Sequence, residues 1–142
     1  MSETFEKVLT LKNVSMFENA SENALSDLIM CSDEKSYKSG EEILTNMQEN
    51  QYLYIVLSGS VHCFKPDSDE IVLEFNTRQF FGETTVLCPA VIPYRIVASG
   101  KTTLLRIHGN KLYQMMSLHP SLAMGFVGEL SKQLRQRSGK NI

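Results

Sequence analysis

Tyr52-Leu53-Tyr54-Ile55-Val56-Leu57-Ser58-Gly59-Ser60-Val61-His62-Cys63-Phe64 decides the fold class of this chain. From Tyr52 to Leu57 the run is continuously apolar, which predicts a strand covered on both faces. Ser58-Gly59 follows as a turn signal and Val61 to Phe64 as a second β-rich run. The same rhythm extends in both directions. Upstream, from Ser36, Ser39-Gly40 leads into Ile43-Leu44; downstream, Pro66-Asp67-Ser68 leads into Ile71 to Phe75. Ile71, Leu73 and Phe75 alternate with Val72 and Glu74, so one face of that strand is predicted to be the better buried. Short β-rich runs at roughly ten-residue spacing, continuing to Thr103-Leu104-Leu105-Arg106-Ile107, predict an all-β sandwich or barrel.

The flanks change period. Ser21 is placed to cap a helix whose apolar face is Leu25, Leu28 and Ile29, and the less regular Phe5, Val8, Leu9, Leu11, Val14 and Phe17 before it predict a short helix plus turn. After His108, Leu112, Met115 and Met116 mark one short helix. Pro120 then opens another, with Leu122, Phe126, Leu130 and Leu134 at i+4 spacing and Ala123 and Val127 on the same broad face.

At 142 residues the chain has the length of one domain, and 14 Lys+Arg against 16 Asp+Glu leave no basic field to draw in nucleic acid or anionic lipid. Lys132, Arg135, Arg137 and Lys140 are read as a solvated last helical turn favoured by the helix dipole. The three cysteines, Cys31, Cys63 and Cys88, are odd in number and lack metal-ligand spacing, so they are expected to be small buried thiols in a reducing cytoplasm. His62, His108 and His119 have no ligand spacing either, and no nucleophile and base can be paired. The chain is therefore expected to be no enzyme, to need no cofactor or metal, and to insert in no membrane.

Several segments together resemble the cyclic nucleotide-binding domain family, over nearly the whole chain. Phe17 after Leu11-Lys12-Asn13-Val14 resembles the family's opening segment, and Gly40-Glu41-Glu42-Ile43 its Gly-Glu-x-Ile strand start. Tyr54-Ile55-Val56-Leu57-Ser58-Gly59-Ser60-Val61 resembles the aromatic-x-x-x-x-Gly-x-Val hairpin, Phe81-Gly82-Glu83 the opening of the phosphate-binding cassette, and Ala98 with Leu104 the closing strand pair.

The resemblance implies a mainly β fold with flanking helices: a jelly-roll (double-stranded β-helix) barrel with N-terminal helices and a C-terminal helix pair. It divides a single domain, residues 1–142, into N-terminal helices over 1–31, the jelly roll over 32–107 with a short cassette helix near 83–88, C-terminal helices over 108–137 and a tail over 138–142. It also implies a ligand site of Phe81, Gly82, Glu83, Thr84, Thr85, Tyr94 and Arg95. In that scheme Glu83 accepts the ribose 2'-hydroxyl, Thr84 and Thr85 supply backbone amides, and an arginine neutralises the phosphate. In gapless alignment the arginine position is Ile92, with Val91 in place of a preceding proline. Arg95, three residues on, falls on the opposite face of an extended strand. The turn Met47-Gln48-Glu49-Asn50-Gln51 lacks the family's Gly-x-x-Gly-Asp, and Asn50 can take a left-handed conformation there.

The implied function is a cytoplasmic, non-catalytic regulatory domain that senses a small molecule, with cyclic AMP and cyclic GMP the candidates, and homodimerises through its C-terminal helix. No nucleic acid is expected to bind this chain alone. A second reading keeps the fold: a degenerate or other-ligand module serving as an interaction or dimerisation domain, the sensor part of a catabolite-activator-type transcription regulator without its DNA-binding module.

Overall fold

The computed structural model describes residues 3–45 and 48–139. Helix α1 (Glu3–Lys12), a 3-10 turn (Ser15–Phe17) and α2 (Glu22–Met30) come first. Ser21 caps α2, its Oγ accepting from the Ala24 amide at 3.1 Å. Among the described residues ten strands follow: β1 (Asp33–Tyr37), β2 (Glu42–Leu44), β3 (Glu49–Asn50), β4 (Tyr52–Ser58), β5 (Ser60–Phe64), β6 (Ile71–Asn76), β7 (Phe80–Phe81), β8 (Ala90–Val91), β9 (Arg95–Ala98) and β10 (Thr102–His108). Helices α3 (Gly109–Leu118) and α4 (Pro120–Ser138) close the chain.

Two four-stranded antiparallel sheets, β1-β10-β4-β7 and β2-β9-β5-β6, make the mainly β jelly roll, and β3 pairs with β8 as a separate ladder. Strand β4 explains why two cores form. Its alternate residues Leu53 and Ile55 pack with Leu105 and Ile107 against Leu11, Phe17, Leu25, Leu28 and Phe126 of the helices. Tyr54 and Val56 point the other way and join Val61, Cys63, Phe81, Ile96 and Leu104 between the sheets. A strand buried on both faces has no polar side to show, which is why Tyr52 to Leu57 is apolar throughout.

Three expectations change. On β6, Ile71 and Leu73 are exposed, while Val72 and Phe75 pack against the inter-sheet core. The strand lies at a sheet edge, and its register with β5 shifts between Cys63 and Phe64, so strict alternation does not translate into burial. Among the described residues of α4 only Leu122 and Phe126 are buried, with Leu130 packed beside them; Val127 and Leu134 are exposed, off the narrow stripe that meets the domain. Of the cysteines, Cys63 is buried, Cys31 is intermediate and Cys88 is exposed.

Helix α4 is seated by a close approach. A Cβ on Gly125 would collide with the carbonyl oxygen of Met16 in the 3-10 turn, so glycine permits the contact. Ser15 Oγ donates to Glu129 Oε1 at 3.2 Å one turn further on. No described helix is long and apolar enough to cross a membrane, and no described cluster of His, Cys, Asp and Glu could hold a metal ion.

Candidate functional site: the cassette turn and helix α4

β7 delivers the chain to a tight turn at Gly82. The Thr85 and Val86 amides both donate to the Gly82 carbonyl, at 3.2 and 3.0 Å, so residues 83–85 form a single turn where a short helix near 83–88 was expected. Gly82 has φ +90, and a Cβ there would strike the Tyr52 carbonyl oxygen, so the turn requires glycine on two counts.

Asn50, absent from the sequence-based site, holds this turn in place. It is 1% exposed, and its Nδ2 donates to the Tyr52 carbonyl (2.7 Å) and to Thr85 Oγ1 (2.9 Å), while its Oδ1 accepts from the Tyr52 amide (3.1 Å). Its backbone is not left-handed; it is part of β3. Among its partners, Thr85 lies 35 residues away, a relation no local pattern could reveal.

The expected ligand residues separate into three groups. Gly82, Glu83, Thr84 and Thr85 share the turn, but the Thr85 amide and hydroxyl are engaged within it and only Thr84 is exposed. Phe81 stacks on Tyr54 with centroids 4.8 Å apart and planes 9° apart, and Phe75 lies 5.3 Å from Phe81, so these rings occupy the inter-sheet space next to the turn. Ile92 and Tyr94 are half-buried against the same core. Burial pushes the Tyr54 hydroxyl up to about 12, and it stays neutral.

Arg95 is placed elsewhere. Strand β9 turns Ile96 and Ala98 inward and leaves Arg95 on the outer face. There its Nη2 donates to the Ser68 carbonyl at 3.0 Å, its guanidinium lies 5.0 Å from the Phe64 ring centroid, and Glu42 and Asp69 are 3.8 Å away. The structure does not bring Arg95 to the Gly82-Glu83 turn; residues 92–94 form a bend rather than a strand, and alternation within β9, which buries Ile96 and Ala98, sets Arg95 outward.

Glu83 looks toward the helices. Its Oε1 accepts from Gln133 Nε2 of α4 at 3.1 Å, and the same nitrogen donates to Glu129 Oε2 at 3.1 Å. Burial, the largest influence, pushes the Glu83 carboxyl above its ordinary range; a hydrogen bond from its own backbone, the Gln133 hydrogen bond and Arg137 oppose this, and Glu129 adds to it. The pair borders a groove of about 520 Å³ between α4 and the β6–β7 turn.

The sequence profile of the cyclic nucleotide-binding domain matches residues 34–119, well over half of the chain. The chain belongs to this family. Over 127 residues it is 25% identical to the potassium channel KAT2 of Arabidopsis thaliana, covering 88% of this chain and 18% of that protein; the chain thus spans under a fifth of the curated relative it matches. The sensor domain of the transcriptional regulator DNR from Pseudomonas aeruginosa superposes with TM-score 0.78 at 22% identity, covering 96% of this chain and 95% of that one. The catabolite activator protein of Thermus thermophilus gives 0.79 at 20%, covering 87% and 60%. The regulatory domain of Toxoplasma gondii PKA, solved with cAMP, gives 0.70 at 19%, covering 81% and 46%. Such identities establish a shared fold. At the cassette the described residues supply the carboxylate of Glu83 and the glycine turn at Gly82, while Ile92 packs against the inter-sheet core.

Proposed function

We propose that this domain is a non-catalytic regulatory sensor, working in the cytoplasm, that couples the state of its cassette turn to the pose of α4. The observation that carries this reading is the hydrogen bond from Gln133 to Glu83, which ties the turn directly to the last helix. A ligand that favours one arrangement of that contact shifts the population of α4, by as much as its affinities for the two arrangements differ.

Cyclic nucleotides are weak ligands in this reading. A phosphate without a charged partner forgoes on the order of 2 to 5 kcal/mol, roughly thirty to several thousand fold in affinity. Isothermal titration with cyclic AMP and cyclic GMP tests this. No saturation at tens of micromolar is expected; low-micromolar saturation that Glu83→Ala abolishes would restore the ordinary cassette chemistry.

The exposed apolar residues of α4 favour a second reading, an association module. Met124, Val127 and Leu134 are 70%, 54% and 68% exposed, at spacings of three and seven. Sedimentation of the wild type and of Val127→Glu/Leu134→Glu separates the two: a concentration-dependent dimer lost in the variant supports association, and a monomer in both removes it.

A further inference from the structure

A primary amide has two N–H groups, and Gln133 uses both, one toward Glu83 Oε1 and one toward Glu129 Oε2. Two oxygens of the pair remain, Glu83 Oε2 and Gln133 Oε1. Both are buried, and neither has a hydrogen-bond donor among the described residues. With Glu83 ionised, each is an acceptor with nothing to accept, the costliest state for a buried polar atom. One added proton serves both: an acid O–H beside an amide carbonyl, with the amide N–H returning to the other carboxyl oxygen, is a closed two-bond ring.

We propose that Glu83 is carried as the neutral acid when α4 is docked, its Oε2–H donating to Gln133 Oε1, so that loss of this proton loosens α4 from the cassette turn. The proton leaves to solvent water and Glu83 becomes a carboxylate; no other bond changes.

The charges around Glu83 are few and mixed. From α4 come Glu129, Lys132 and Arg137; Glu74 of β6 and Arg78 of the β6–β7 turn line the groove; the chain after α1 contributes only the uncharged Asn13 and Ser15. Among the described residues the influences that favour the carboxylate are Glu83's own backbone hydrogen bond, the Gln133 bond and, last, the Arg137 charge, and burial is larger than each of them and favours the neutral form.

This inference deepens the sensor reading and rests on it in taking α4 as the element that moves. Its test uses the whole chain and two readouts: carbon-13 NMR titration of the Glu83 carboxyl, and amide exchange protection over residues 131–137 as a function of pH. Glu83 is expected to titrate above the other glutamates, with protection falling about fivefold or more across the same titration, the worth of one buried hydrogen bond. Glu83→Gln, which keeps both hydrogen bonds as an amide–amide pair, is expected to hold protection constant with pH. Titration of Glu83 in the ordinary glutamate range, or the same pH response in Glu83→Gln, would overturn the proposal. Silence to cyclic nucleotides in calorimetry would not touch it, so failure of ligand sensing and failure of the proton bridge are told apart.

Discussion

Arg95 and Phe64 sit on the outer face of their sheet, the guanidinium 5.0 Å from the ring centroid, and directly opposite each other in the β9–β5 register. An arginine so engaged, with its hydrogen bond to the Ser68 carbonyl, is a strut between β9 and the β5–β6 hairpin.

Arg95→Ala should therefore cost about 1 kcal/mol or less in urea unfolding, as expected of a partly exposed cation–π and ion-pair site. It should leave the millimolar chemical-shift response to cyclic AMP unchanged. A weaker response in the variant would put Arg95 at the ligand.

Asn50→Ala strips the cassette turn of its buried support. The Tyr52 amide and Thr85 hydroxyl lose a partner in a site closed to water, and a loss of about 2 to 4 kcal/mol is expected in the same assay. A change below 0.5 kcal/mol, on the order of an ordinary surface substitution, would show that the turn holds itself.

Gly82→Ala meets both the positive φ and the Tyr52 carbonyl. The backbone conformation alone costs roughly 1 to 2 kcal/mol for an L-residue. The expected result is a lowered unfolding midpoint together with shifted amide signals for residues 82–86. A variant with wild-type stability and spectrum would contradict the geometry.

Asp33 is joined to Arg106 by two hydrogen bonds, at 3.1 and 2.7 Å, and the Arg106 bond holds its carboxyl below the usual range. A carboxyl lowered by folding stabilises above its unfolded value of about 3.9 and loses that contribution as pH falls through the lower folded value. Asp33 is half exposed, so solvent reduces the effect to less than about 1 kcal/mol. Asp33→Asn should flatten that part of the acid limb of a stability–pH curve; an unchanged limb would show that the pair contributes nothing.

The parts of this domain that could be read in the sequence are those whose causes are local. Tyr52 to Leu57 announces a doubly covered strand, Ser21 a cap, and Pro120 the first turn of α4, each within a few residues. Strand β1 was illegible upstream of Ser36: Asp33 to Ser36 are exposed, and pairing with β10 rather than alternation makes them a strand. The site divides in the same way. Phe81-Gly82-Glu83 shows in the sequence where a glycine and a carboxylate follow a strand, but the single turn they form and the direction of that carboxylate depend on residues far along the chain, among them Gln133, 50 residues later. Asn50 reads in the sequence only as a turn residue for the same reason, since its partner Thr85 lies 35 residues away.

The proposed weakness toward cyclic nucleotides follows from the cation that Ile92 does not supply. Its most direct measurement is calorimetric titration of the wild type and Ile92→Arg with cyclic AMP, with thermal melts confirming that both are folded. The expected result is no saturation of the wild type at tens of micromolar and at least about tenfold tighter binding by Ile92→Arg, the lower part of what a phosphate's charge partner is worth. Low-micromolar binding by the wild type, unimproved by the arginine, would contradict it.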